Sequence, residues 1–93
     1  MNQDYPEIVL AIVNAQIEII GPLAVDQAKK VDGLQLDWEH KQVNLSRNPT
    51  EIINDLVEQY KQLFGQISVD VCKEAVSRLV GHMAKDQLPT SLM

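Results

Sequence analysis

Two stretches of this 93-residue chain match each other when the sequence is shifted by 44 positions. Residues 4–31 then lie over residues 48–75 without a gap, and seven of the 28 pairs are identical, from Glu7 over Glu51 to Lys29 over Lys73. A fixed period indicates that a structural unit recurs along the chain. Convergence is an alternative, because helix caps and apolar faces draw on few residue types. We expect an internal repeat within a single domain spanning residues 1–93.

Each copy has the residues that typically begin and end the helices of a helical hairpin. Asp4 and Asn48 are typical helix N-caps, and each is followed three residues later by a glutamate, as in a capping box. Gly21 and Gly65 suit the left-handed residue that follows a helix end. The apolar spacing predicts a third helix over about 49–64 and a fourth over about 67–86. The predicted fold is therefore mainly α, with two helical hairpins in an internal 44-residue repeat.

The first helix is apolar around most of its circumference. A helix of this kind is expected to be buried on nearly all sides. Three other helices in so short a chain can hardly surround it, so we expect a second subunit to cover it. The chain is predicted to be a homodimer, and small domains often gain stability in this way. The candidate self-association residues are Ile8, Ile12, Val13, Ile17 and Ile20.

A short extended segment, about 34–45, joins the two copies. Leu34, Leu36 and Trp38 alternate with polar residues, which is the period of a half-buried strand. Val43 and Leu45 continue the alternation in the opposite phase, which indicates a bend or a short hairpin. We expect a β-ribbon that packs on the helices or pairs with the same ribbon of a partner, since a lone ribbon is marginal in water.

The charge and the cysteine count argue against several classes of function. A net charge of −5 with scattered basic residues disfavours nucleic acid and an anionic membrane as partners. The apolar stretch from Ile8 to Val25 contains polar residues and a Gly-Pro break, so it is not expected to span a membrane. The single cysteine, Cys72, and an acidic N-terminus are typical of a cytoplasmic protein. No cofactor is expected.

No group of side chains in the sequence predicts catalysis or metal binding. Cys72 lies on an apolar stripe and is interpreted as a small buried hydrophobe. Asp37, Glu39 and His40 could hold a metal, but strand alternation is expected to place His40 on the opposite face. His82 is expected on the solvent side of the fourth helix. The chain is therefore predicted not to be an enzyme.

The matched pairs Val25–Asp26 and Val69–Asp70 are the candidate partner contacts. They are explained structurally as helix starts, with Asp in the first turn where the helix dipole favours it. The alternative is a pseudo-twofold contact surface in which both corners meet one partner.

The predicted function is a non-enzymatic protein-interaction module with a regulatory or adaptor role. The alternative is a small-ligand-binding protein with a pocket between the hairpins, since pockets combine apolar walls with a few polar groups. Asn14, Gln16 and Glu18 on the first helix are the candidate pocket residues. Residues 87–93 are predicted to fray.

Overall fold

A computed structural model of the chain describes residues 4–80, and these residues form a mainly helical fold with one small sheet. The elements in chain order are α1 (Asp4–Ile20), α2 (Leu23–Ala28), β1 (Leu34–Asp37), β2 (Gln42–Leu45), α3 (Pro49–Phe64) and α4 (Gln66–Val80). This confirms the predicted helical class and the short β-ribbon. The predicted end of α4, His82 and the tail at 87–93 lie outside the described residues. No described helix is long and apolar enough to cross a membrane.

Local sequence determines both ends of α3. The Asn48 side chain accepts a hydrogen bond from the backbone N–H of Thr50 at 3.0 Å, which satisfies one of the free donors of the first turn. Pro49 follows at the first helical position, where a missing N–H costs nothing. At the other end Gly65 has a φ of 82°, a conformation that glycine adopts without strain. The predicted helix over 49–64 is confirmed.

The central segment is an antiparallel hairpin with one apolar face. Leu34 pairs with Leu45, and Leu36 pairs with Val43, so the apolar side chains of both strands lie on one side. The two leucines of β1 are buried, whereas their partners on β2 are half-buried. The apolar face packs against the helical core, which gives this short ribbon the support that it lacks alone.

The core is built around α1, which contacts α2, α3, α4 and β2 within the same chain. Ile8, Ile12 and Val13 of α1 are fully buried by these elements. Their burial therefore requires no second subunit, which removes the reasoning that led from an apolar first helix to a dimer. Ile17 and Ile20 are half-buried against the same core.

The buried face of α4 differs from the apolar stripe predicted for it. Val69, expected to point away from the core, is buried, whereas Ile67, expected inside, is 65% exposed. Cys72 and Val76 are buried as predicted, but Ala75 is exposed. This face packs against α1 and α3, and the Gln16 side chain of α1 donates a hydrogen bond to the carbonyl of Ser68 in the first turn of α4.

Candidate interaction surface

Two glycine corners, each joining a pair of helices, lie at the same end of the molecule. Gly21 and Gly65 both have positive φ, 76° and 82°. The N–H of Gly21 donates to the carbonyl of Ile17 at 2.8 Å, and the N–H of Gly65 donates to the carbonyl of Lys61 at 2.8 Å. These positions correspond under the 44-residue shift, so each corner ends its helix in the same way.

Two hydrogen bonds connect the hairpins near these corners, one donated by each hairpin. Gln16 Nε2 of α1 donates to the carbonyl of Ser68 in α4 at 3.1 Å, and the Tyr60 hydroxyl of α3 donates to the carbonyl of Ala24 in α2 at 2.6 Å. Under the shift, Gln16 lies over Tyr60, and Ala24 lies over Ser68. Each hairpin thus donates one of these hydrogen bonds to the other and accepts one from it.

Four large aliphatic side chains are exposed around these corners. Ile19 is 51% exposed and Leu23 48%, while Leu63 is 50% and Ile67 65% exposed. Ile19 lies one helical turn beyond Gln16, whose hydrogen-bond partner Ser68 is next to Ile67 in the sequence. In the same way, Leu63 lies about one turn beyond Tyr60, whose partner Ala24 is next to Leu23. We call Ile19, Leu23, Leu63 and Ile67 the corner surface. Its members correspond in pairs under the 44-residue shift, Ile19 with Leu63 and Leu23 with Ile67. Aligning the two copies could therefore have identified them from the sequence.

The predicted partner contacts lie at the edge of the corner surface. Asp26 and Asp70 are exposed, each three residues after an exposed member of the surface, Leu23 or Ile67, and so on the same side of its helix. Val25 is half-buried and Val69 is buried, so the valines mainly contribute to packing. Of the four predicted contact residues, the two aspartates are therefore accessible to a partner.

A buried polar cluster lies beneath the corner surface. Gln16 Nε2 is 3.3 Å from Cys72 Sγ, and Gln16 Oε1 has no hydrogen-bond partner among the described residues. Burial raises the pKa of the Cys72 thiol to about 11, against the opposing effect of the hydrogen bond from Gln16. Burial, and secondly the nearby Cys72, also raises the pKa of the Tyr60 hydroxyl. Both groups are neutral at physiological pH, as expected of packing residues rather than nucleophiles.

These shifts predict a loss of stability at alkaline pH. In an unfolded chain a cysteine loses its proton near about pH 8.5 and a tyrosine near about 10, whereas the folded protein retains both protons to higher pH. The contribution of these two groups to the free energy of unfolding is therefore fully present below about pH 8.5 and is lost as the pH rises toward 11. Cys72 contributes on the order of 3 kcal/mol of it. Urea unfolding between pH 7 and 11 measures this change. Cys72→Ala should flatten the pH dependence, and equal slopes for the variant and the wild type would contradict the assignment.

The three candidate pocket residues do not converge on one site. Gln16 is fully buried, whereas Asn14 and Glu18 are exposed. A spacing of two residues on a helix separates side chains by about 200°, so Gln16 faces away from the other two. A different groove, of about 370 Å³, lies between α3 and α4. It is lined by Asn54, Val57, Glu58, Lys61, Gln66, Val69 and Lys73.

The hairpin turn holds a polar contact that strand alternation did not predict. His40 lies in the turn after β1, and its Nδ1 is 2.8 Å from Asp37 Oδ2. This hydrogen bond lowers the pKa of the Asp37 carboxyl. The expectation that His40 would lie on the opposite face from Asp37 was wrong, because the strand ends before His40. No group of three or more metal-binding side chains occurs among residues 4–80.

Comparison with other proteins adds no assignment to this geometry. No protein-family model, curated protein or solved structure matches the chain. The class of the protein, a mainly helical fold with a two-stranded sheet, therefore rests on its own architecture.

Proposed function

We propose that this chain is a non-enzymatic protein-interaction module, with a regulatory or adaptor role, that contacts its partner through the corner surface. The observation that carries this proposal is the exposure of four large aliphatic side chains on the residues that flank the two glycine corners. Single exposed hydrophobic residues are common on protein surfaces, but a group of them is typical of a protein contact. The aspartates Asp26 and Asp70 then form part of a polar rim.

We further propose that the two hairpins are copies of one ancestral unit, related by an approximate twofold. The crossed hydrogen bonds from Gln16 and Tyr60 support this proposal, because each connects the same position of one copy to the same position of the other. The burial pattern supports it as well, since Ile8 and Ile12 are buried like their counterparts Ile52 and Leu56. A duplicated unit accounts for an interaction surface made of two equivalent halves.

Charge and chemistry support the remaining parts of the proposal. An excess of acidic residues favours a protein partner over nucleic acid or an anionic membrane. The raised pKa of the buried Cys72 thiol favours a packing role and an unreactive sulphur. The single cysteine of the sequence supports the cytoplasmic location that we propose.

Site-specific photo-crosslinking in cells tests the interaction surface. A photoreactive amino acid at Leu23 should give covalent adducts with protein, because this side chain is exposed within the corner surface. The matched control is the same amino acid at Gln42, an exposed position on the hairpin. Adducts from both positions alike, or from neither, would overturn the proposal.

A second candidate is a small-ligand-binding protein that uses the groove between α3 and α4. Its volume of about 370 Å³ suits a metabolite. Lys61 and Lys73 line it together with one carboxylate, Glu58, and neither lysine forms an ion pair within the described part of the chain. Two positive charges against one negative charge make an anionic ligand the matching class. A thermal-shift screen of carboxylates and phosphate esters tests this candidate. A rise of several degrees that Lys61→Gln abolishes would support it, and an unchanged melting temperature throughout would refute it.

A further inference from the structure

We propose that the corner at Gly65 is a hinge through which two copies of the chain exchange α4. Opening the hinge would join α3 and α4 into one continuous helix over residues 49–80, about 48 Å long. The α4 segment of each copy would then pack on the core of the other copy, which is a domain-swapped dimer. This inference goes beyond the proposed function, because it concerns how the fold assembles and does not involve the corner surface.

The corner at Gly65 already has much of the geometry of a helix. A single residue separates the two helices, since α3 ends at Phe64 and α4 begins at Gln66. The N–H of Gly65 donates to the carbonyl of Lys61 at 2.8 Å, which is the hydrogen bond between residues i and i−4 of an α-helix. The helical path is broken at Gly65, which has a φ of 82° and a ψ of −169°. Rotation about the backbone bonds of this residue would extend α3 into α4.

A continuous helix would also provide acceptors for backbone groups that the closed corner leaves open. The N–H groups of Gln66 and Ile67 donate to no group among residues 4–80. In a continuous helix they would donate to the carbonyls of Gln62 and Leu63, four residues earlier in the chain. Opening the hinge therefore adds hydrogen bonds within each copy.

The contacts that hold α4 can be made equally well by a second copy. Val69, Cys72 and Val76 are buried where α4 packs against α1 and α3, and the side chain of Gln16 donates to the carbonyl of Ser68. When α4 leaves its own core, it exposes a site that is complementary to the α4 of another copy, and no new surface is required. The monomer and the swapped dimer therefore differ in free energy mainly at the hinge and by the entropy of association.

The corresponding corner at Gly21 provides a matched control. Gly21 has a similar φ of 76°, and its N–H donates to the carbonyl of Ile17 at 2.8 Å. The next residue is Pro22, however, whereas the corner at Gly65 continues with Gln66. Proline has no N–H and disfavours the helical conformation in the residue before it, so a continuous helix through Gly21 is not expected.

The test is Gly65→Ala, with the mass of the chain measured by light scattering after refolding at about 1 mM. A Cβ atom at Gly65 would meet nothing within 4 Å, but a φ of 82° strains an L side chain in the closed corner. The continuous helix removes this strain and favours alanine over glycine at both hinges of the dimer. We expect the association constant of the dimer to rise at least about 100-fold over the wild type.

A second variant, Gly65→Ala with Gln66→Pro, separates hinge opening from backbone strain. The added proline lies at the first position of α4, where it is tolerated, and it disfavours a continuous helix as Pro22 does at the first corner. The strained alanine remains, so this variant should unfold at a lower urea concentration than the wild type and stay monomeric. Gly21→Ala should also stay monomeric.

Each outcome decides the proposal. A dimer of Gly65→Ala that is lost in the double variant and absent from Gly21→Ala would support the hinge. A folded Gly65→Ala chain that stays monomeric at about 1 mM would overturn it. A dimer of all the variants alike would also overturn it, because the closed chains would then associate without exchange.

The wild type and Gln66→Pro alone decide the proposal if circular dichroism shows that Gly65→Ala is unfolded. The wild type refolded at about 1 mM should then contain a dimer that Gln66→Pro lacks, and monomers in both cases would overturn the hinge. None of these results depends on crosslinks from Leu23 to other proteins, so the proposed interaction module is tested separately.

Discussion

Replacing Leu56 with alanine is expected to lower the free energy of unfolding by about 2–5 kcal/mol. Leu56 of α3 is fully buried in the core, to which α1 and the β-hairpin also contribute side chains. The substitution removes apolar contacts and leaves a cavity that the surrounding helices can fill only in part. Small domains are stable by only about 5–15 kcal/mol, so this one change could remove a large share of the total.

The matched control for this prediction is Leu63→Ala in the same helix. Leu63 is 50% exposed, so the same chemical change leaves no internal cavity and should cost within about 0.5 kcal/mol. Urea unfolding monitored by circular dichroism measures both variants. Similar losses for the two leucines would mean that the buried core is not where the structure places it.

Gly33→Ala is expected to destabilise the protein by about 2–4 kcal/mol, the sum of a backbone effect and a steric effect. Gly33 has a φ of 86°, which an L side chain rarely adopts. A Cβ atom there would lie 2.9 Å from Cγ and Nε of Arg47 and 3.3 Å from Cδ1 of Ile52. Arg47 cannot move freely, because it donates to the carbonyl of Asp32 and contacts Asp55 at 2.7 Å.

Gly21→Ala separates the two contributions. Gly21 has a similar φ of 76°, but a Cβ atom there would meet nothing within 4 Å. This variant should therefore lose only the backbone part, about 1–2 kcal/mol. If chemical denaturation gives equal losses for both glycines, Arg47 yields without cost and the steric part of the prediction is wrong.

The local features of the fold could be read from the sequence. The bounds of α3 follow from Asn48, Pro49 and Gly65, residues whose effects depend on the chain next to them. The hairpin follows from the change of phase between Leu36 and Val43, which a reversal of the chain explains. In each case the determinant lies within a few residues of the structure that it produces.

The features that depend on distant contacts were predicted less well. The apolar character of α1 did indicate burial, but not that α4, α3 and β2 of the same chain would supply it. The face that α4 buries depends on its packing against α1 and α3, and Gln16, which donates to the carbonyl of Ser68, lies 52 residues earlier in the chain. The cluster of Arg47 with Asp32 and Asp55 likewise joins a loop to a helix. Periodicity within one helix contains no information about such partners.

The position of Trp38 gives the protein an internal fluorescence reporter. It is the only tryptophan in the sequence, and it lies half-buried at the end of the hairpin with the Lys41 ammonium 4.0 Å from its ring centre. The apolar contact of Trp38 depends on the ribbon lying against the helical core, whereas the cation–π contact with Lys41 forms within the hairpin itself. Its emission therefore follows the docking of the hairpin, while far-ultraviolet circular dichroism follows the helices. Two optical signals thus report on two separate parts of one small fold, without any added label.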